Sequence, residues 1–353
     1  MTSATADAAA ADGGMQRSDP GGLDTAVLFP FPLDDFQLEA IAALNQGHSV
    51  VVSAPTGSGK TLIGEYAIHR ALAHGQRVFY TTPLKALSNQ KLRDFREQFG
   101  SEQVGLMTGD LTANREAPIV VMTTEIFRNM LYAELDDGID PLEGVEAVVL
   151  DECHYMNDSQ RGTVWEESII HCPPPIQLVA LSATVANAGQ LTDWIEQVHG
   201  PSDLIVSDFR PVPLQFSFCS AKGLHPLLND QGTGLHPNCK VWRAPKGHHR
   251  RGKNPKPPQP ESPSMAFAVA QLVDRQMVPA IVFLFSRRGC DKAVRDLLKA
   301  SLVNEQESAE LKRRFEAFAR TSPEAVRDGV HAQALLRGVA AHHAGVLPAW
   351  EEL

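Results

Sequence analysis

The stretch "SVVVSAPTGSGKTLIGEYAIHRALAHG", Ser49 to Gly75, constrains the fold of this chain more than any other. A β-branched run leads into a loop of Gly, Ser and Thr, and that loop opens an amphipathic pattern that runs to Gly75. Strand, Gly-rich loop and helix in this order are the context in which Gly-Lys-Thr marks a P-loop. Gly57 and Gly59 let the backbone curl so that successive N–H groups converge on phosphate oxygens. Lys60 is placed to reach the β- and γ-phosphates and Thr61 to offer an oxygen to Mg²⁺, so the implied ligands are ATP and Mg²⁺. Ala54, Pro55, Thr56 and Ser58 complete the cradle. Ala54 stands where the general pattern has its first Gly, but the tight curl lies at 56–60, so the physics is intact.

The same alternation continues on both sides of the loop. "RVFYTTP", "APIVVMTT", "VEAVVLDE" and "IQLVALSAT" read as strands. "KALSNQKLRDFREQFG", "EIFRNMLYAEL" and "NAGQLTDWIEQVHG" read as helices, the first closed by Gly100. Near-continuous apolar strands alternating with helices mean an α/β fold, a parallel sheet covered by helices on both faces. Ligands of such sheets bind at the carboxyl ends of the strands.

"VEAVVLDE" delivers Asp151 and Glu152 to one of those ends, followed by Cys153 and His154. In isolation "DECH" allows a metal site, a Cys/His nucleophile pair or an acid/base pair. In P-loop ATPases a second strand ends in an Asp that holds Mg²⁺, which makes Asp151 the metal-side carboxylate. Glu152 is then the candidate base for the attacking water. Cys153 lacks a facing base and an oxyanion hole in the surrounding sequence, and the alternation points it into the core. A Zn²⁺ site lacks further ligands at useful spacing. His154 is either a satisfied histidine or a coupling residue.

Composition sets the frame. The chain has 353 residues, room for about two domains at ~150 residues each, and it is 43% hydrophobic and 21% charged. Five scattered cysteines without a C-x-x-C pair argue against a disulfide framework. No apolar run approaches the roughly 18 residues of a membrane span, so no membrane partner is expected. The opening "MTSATADAAAADGG" has no charged start before an apolar core, which reads as a disordered tail over 1–26 and a cytoplasmic protein. A net charge of −10 disfavours a broad positive field for nucleic acid but leaves room for a local groove of backbone amides and a few basic side chains.

After Ser220 the texture changes. "PKGHHRRGKNPKPPQPESPS" is rich in Pro and positive charge. It reads as a solvated linker, or as a segment in which Lys246, Arg250, Arg251, Lys253 and Lys256 hold RNA electrostatically. "MVPAIVFLFSRRGCDKAVRDLLKA" reads as strand, turn and helix, the start of a second α/β unit, and Glu305 to Gly338 reads as helical.

In order along the chain these pieces resemble a superfamily 2 helicase of the DExH type. "FPLDDFQLEAI" looks like the adenine-reading Q motif, with Gln37 as base contact, and "APTGSGKT" like motif I. "TTPLKALSNQK" resembles motif Ia, while "MTGD" and "VMTTEIFRNML" resemble the Ib and Ic elements. "LSAT" resembles motif III, and "IVFLFSRRGCD" the opening of a second RecA-like domain. "SDFRPVPLQF" and "AHHAGVLP" are similar to the superkiller and exosome-cofactor group of RNA helicases, a set that archaeal DNA repair helicases largely share.

The resemblance implies a RecA-like sheet over 27–208, a connecting segment over 209–264 and an incomplete second RecA-like domain over 265–353. It implies that His154, Ser182 and Thr184 link the ATP site to a nucleic-acid groove. It implies that Pro83, Lys85, Gly109, Asp110 and Thr124 line the bound strand, with His343 and Gly345 doing so from the second domain. Single-stranded RNA is the expected strand and DNA the alternative. No segment resembles the arginine-bearing motif VI, which is expected to leave ATP binding intact and turnover slow. The competing expectation is an ATP-gated nucleic-acid-binding module without productive turnover.

Overall fold

The computed structural model describes residues 22–132, 140–239, 263–321, 323 and 329–343. The basic Pro-rich stretch, most of the expected N-terminal tail and Gly345 lie outside the described residues. The chain divides into two compact units between Pro213 and Leu214.

The first unit opens with α1 (Thr25–Leu28) and α2 (Asp35–Asn45). It continues through β1 (Ser49–Ser53), α3 (Thr61–Ala73), β2 (Arg77–Thr82) and α4 (Lys85–Phe99). Then come β3 (Val104–Met107), β4 (Thr112–Ala113), β5 (Ile119–Thr123), α5 (Thr124–Leu131) and β6 (Val145–Leu150). α6 (Gly162–His171), β7 (Gln177–Ser182), α7 (Ala188–Val198) and β8 (Ser202–Val206) close the unit. The strands form one eight-stranded sheet in the order β4-β3-β5-β2-β6-β7-β1-β8, and every pairing except β3 with β4 is parallel.

Alternation within the strands divides the core into two layers. Val50, Val52, Tyr80, Val121 and Val149 face α2, α3 and α4, where they meet Phe36, Ile63, Tyr66 and Phe95. Val51, Phe79, Met122, Val148 and Ala180 face the other way, toward Phe127, Trp165, Ile169 and Ile195 of α5, α6 and α7. Each fully buried Val, Leu or Phe side chain contributes about 1.5–3 kcal/mol, so burial on both faces explains the unbroken apolar strands. At the amino ends of the strands the buried Arg70 is held by Glu146 at 2.7 Å and by Leu44 and Gln177. α4 stops where Gly100 adopts φ 94°, a left-handed conformation that costs Gly little.

Registers bring the carboxyl ends level. Ser53 pairs with Ser182, Ala180 with Leu150, Leu150 with Thr81, and Thr82 with Thr123. The segments expected to carry chemistry therefore leave the sheet along one edge.

The second unit holds a hairpin, β9 (Ser217–Ser220) with β10 (Gly223–Pro226), then α8 (Met265–Val273), α9 (Arg287–Leu297), α10 (Glu305–Thr321) and α11 (Gly329–Leu335). The helix expected after "FLFS" forms, capped by Ser286, whose hydroxyl accepts from the Gly289 N–H at 3.0 Å. The strand expected before it does not form. Residues 277–285 carry no ladder, and Ile281 and Phe283 are 83% and 87% exposed. A strand needs a neighbour for its N–H and C=O groups, and none of the described strands pairs with this run. Val282 and Leu284 instead line an open apolar cavity of about 860 Å³ with Val269, Leu272, Val294 and Leu297.

Candidate active site

The loop between β1 and α3 curls as its glycines require. Gly57 and Gly59 sit at φ 83° and 87°. A Cβ on Gly59 would lie 2.8 Å from Gln37 Nε2, so this position excludes a side chain on two counts. Gln37, buried in the first turn of α2, braces the loop. Its Oε1 accepts from the Asp34 N–H at 2.9 Å and its Nε2 donates to the Gly59 carbonyl at 3.1 Å. The expected adenine reader thus sits against the loop, with its amide engaged by backbone.

Lys60 folds back into the loop. Its ammonium donates to the Ala54 and Pro55 carbonyls at 2.8 and 3.1 Å. Burial lowers its pKa, the Glu152 and Asp151 carboxylates oppose that shift, and Arg210 adds to it. The Ser58 hydroxyl is buried with no hydrogen-bond partner among the described residues. An orphaned hydroxyl, a cation resting on carbonyls and a helix N-terminus opening at Thr61 fit a phosphate group bound here.

The DECH turn completes the edge. Asp151 follows β6, and both its oxygens are oriented. The Tyr80 hydroxyl donates to Oδ2 at 2.8 Å, and the Glu152 N–H donates to Oδ1 at 2.9 Å. Tyr80 is fully buried, with Gly64 so close that a Cβ there would lie 3.1 Å from the ring. Burial first, then Asp151, pushes the Tyr80 pKa well above its ordinary value, so the phenol stays protonated and keeps donating. Lys91 of α4 lies 5.5 Å above the Tyr80 ring and donates to the Thr61 hydroxyl at 3.3 Å. Asp151 and the Thr61 hydroxyl supply the oxygen donors that Mg²⁺ prefers, so the residues fit that ion as well. Tyr80 and Lys91 were not legible as site residues, because sequence alone does not place β2 or α4 beside Asp151.

Glu152 takes the left-handed conformation, φ 53°, where a non-Gly residue stores roughly 1–2 kcal/mol of strain. The chain then winds through a short 3₁₀ turn, Cys153–Asn157. Cys153 points into the core at 1% exposure, and burial pushes its thiol up to about 12, which removes the nucleophile reading. His154 Nδ1 lies 3.2 Å from Glu152 Oε2 and 3.4 Å from the Ala183 N. One ring nitrogen serves only one of these at a time. With a proton it donates to Glu152, and bare it accepts from Ala183. Ser182 is buried and donates to the Ala183 carbonyl at 2.9 Å, while Thr184 is exposed.

The expected strand-lining residues divide by exposure. Lys85, Gly109 and Asp110 are exposed, and Lys85 pairs with Asp110 at 2.8 Å. Pro83 and Thr124 are buried, the Thr124 hydroxyl donating to the Thr82 carbonyl at 3.3 Å, so Thr124 presents no free hydroxyl to a strand. His343 lies in the second unit, its Nε2 at 3.0 Å from Asp291 Oδ1.

Residues 34–191 match the DEAD/DEAH box helicase family. This segment is a DEAD/DEAH box helicase domain. Seven of the eight strands of the sheet, β1 to β7, lie within it. The chain is 43% identical over 362 residues to the chloroplastic DExH-box ATP-dependent RNA helicase DExH15 of Arabidopsis thaliana, covering 92% of this chain and 31% of that protein. It is 42% identical over 344 residues to the probable helicase HelY of Mycobacterium leprae (strain TN), covering 91% and 37%. It is 39% identical over 336 residues to the exosome RNA helicase MTR4 of Homo sapiens, covering 92% and 32%. The chain thus spans about a third of the length of these relatives and matches them along nearly all of its own length.

Proposed function

We propose that this chain carries the ATP-binding and strand-sensing front of an ATP-dependent helicase whose strand is single-stranded RNA. The observation that carries the proposal is the placement of the P-loop and the DECH turn at one edge of the sheet, where the Asp151 and Glu152 charges act on Lys60, with a Ser58 hydroxyl that has no partner among the described residues. The names of the DExH15 and MTR4 relatives favour RNA. Five free thiols fit a reducing compartment, so a cytoplasmic location belongs to the same proposal.

Lys60 exchanges the Ala54 and Pro55 carbonyls for phosphate oxygens, and the N–H groups of 57–61 close around them. Thr61 and Asp151 would hold Mg²⁺, which would supply neutralising charge at the phosphates. Tyr80 keeps Asp151 in place without taking up its remaining lone pairs. Glu152 accepts the proton of the attacking water, and Gln37 holds the loop through the Gly59 carbonyl. His154, choosing between Glu152 and Ala183, reports the state of the site to the Ser182–Thr184 segment. Lys85, Gly109 and Asp110, with the Pro83 and Thr124 backbone, follow the sugar-phosphate chain without reading sequence. Because no segment resembles motif VI, the chain by itself binds ATP·Mg²⁺ and turns it over slowly.

Single-turnover hydrolysis with RNA tests the assignment. Glu152→Gln binds ATP as the parent does and loses hydrolysis by about 10²–10⁴-fold. Undiminished hydrolysis in that variant removes Glu152 as the base.

A further inference from the structure

We propose that Arg161 is a positioning residue that ties the strand-facing loops to the DECH turn, and so carries coupling between strand and nucleotide. The inference rests on the strand-binding reading above. Arg161 stands just before α6, where the chain turns sharply. The Gly162 N–H donates to the Asp158 carbonyl at 2.8 Å, and a Cβ on Gly162 would lie 2.2 Å from the Met156 carbonyl. Only Gly fits there, so the preceding arginine is held at a fixed point of the turn.

From that point the guanidinium reaches two other segments. Nη2 donates to the Pro83 carbonyl at 2.6 Å, in the loop that leads to Lys85. Nε donates to Glu125 Oε1 at 3.1 Å, next to Thr124 in the first turn of α5, and Nη2 contacts the same carboxylate. The guanidinium carbon lies 6.0 Å from the Trp165 ring. Trp165 is fully buried and stacks on Tyr155, 6.1 Å away at 22°. Tyr155 follows His154 directly, ring to ring at 5.3 Å, and its N–H donates to the Glu152 carbonyl at 3.0 Å. A continuous set of contacts therefore runs from Glu152 and His154 through Tyr155, Trp165 and Arg161 to Pro83 and Glu125.

The residue type matters. A planar fork can serve a carbonyl and a carboxylate while lying against an indole, and an ammonium cannot do all three. The motif Ia and Ic loops leave β2 and β5 as separate segments, and Arg161 is bonded to both. Its side chain is a third exposed. A shift of either loop on strand binding moves the guanidinium, and through Trp165 the turn that aims Glu152.

The test uses the full chain and a fluorescent single-stranded RNA, with anisotropy read with and without a non-hydrolysable ATP analogue and Mg²⁺. The parent binds RNA more tightly with the analogue present. Arg161→Gln lowers that ratio by about tenfold, within the usual span of coupling factors, while analogue affinity without RNA stays within about twofold. Arg161→Lys recovers only part of the ratio. Glu125→Gln lowers it as well, and the double variant is no worse than the worse single variant, as expected for one shared interaction. If Arg161→Gln unfolds, Glu125→Gln and Arg161→Lys still probe the bridge. An unchanged ratio in the folded variants overturns the inference while leaving the helicase reading standing. An equal loss of analogue affinity without RNA also overturns it, since that marks a general structural brace. A parent chain that binds neither analogue nor RNA, or shows no coupling, takes down the helicase reading first.

Discussion

Two apolar runs of similar character meet different ends in this chain. "RVFYTT" becomes β2, paired on both sides, with Phe79 at 0% exposure. "AIVFLF", residues 280–285, has the same β-branched and aromatic texture, pairs with nothing among the described residues and leaves Phe283 at 87% exposure. The difference lies in the neighbours and not in the run. β2 finds β5 and β6 at matching register, whereas the described strands of the second unit are one short hairpin. Strand propensity records how well a side chain fits a pleated, covered surface, and such a surface must be supplied by other segments.

The chemistry follows the same division. Every candidate ATP-site residue leaves a paired strand of the first sheet or an adjoining helix terminus. Parallel pairing is what levels Ser53, Leu150 and Ser182 so that the P-loop, the DECH turn and the LSAT segment meet.

The largest contrast is in stability. Phe79→Ala removes a buried ring and lowers the unfolding free energy by about 3–5 kcal/mol, measured by denaturant melts of the first unit's transition. A loss below 1 kcal/mol would mean that the sheet is not packed as described, and the comparison would fail. Next comes Tyr80→Phe, which keeps the ring and deletes the donor to Asp151. Divalent-ion affinity in the presence of ATP falls by about 10–100-fold, read by Mn²⁺ titration, while the fold persists. An unchanged titration would show that Asp151 needs no help from β2. The smallest effect belongs to the unpaired run. Phe283→Ala shifts stability by less than about 0.5 kcal/mol, because an exposed ring has little burial to lose. A loss of 2 kcal/mol or more would show that residues 277–285 are covered after all.

Much of the first unit was legible in sequence. β1, β2, β5, β6 and β7 announce themselves as apolar runs, and Cys153 falls into the core by simple alternation. β3, β4 and β8 were missed for physical reasons. β3 is "VGLM", with a Gly that reads as a breaker. It is required because a Cβ at Gly105 would lie 2.0 Å from the Asn114 carbonyl. β4 has only two residues, and β8 opens with Ser and Asp. In the site, motifs gave Lys60, Thr61, Asp151, Glu152 and His154, since their roles depend on short local spacing. Tyr80, Lys91 and Arg161 act across 71, 30 and 78 residues of sequence, to Asp151, Thr61 and Pro83. No periodicity carries that information. Residues 277–285 were misread for the same reason in reverse, since a local signal was taken without its partners.

The central claim is that the P-loop and the DECH turn form one Mg²⁺-ATP site. Calorimetric titration of Mg²⁺·ATP into the full chain tests it most directly, with the parent, Lys60→Ala and Glu152→Gln side by side. The parent and Glu152→Gln bind at one site with similar affinity. Lys60→Ala binds at least ~100-fold more weakly, as the loss of two charge-assisted hydrogen bonds at about 1.5–3 kcal/mol each implies. Binding by Lys60→Ala at the parent's affinity, or no binding by the parent, would contradict the account.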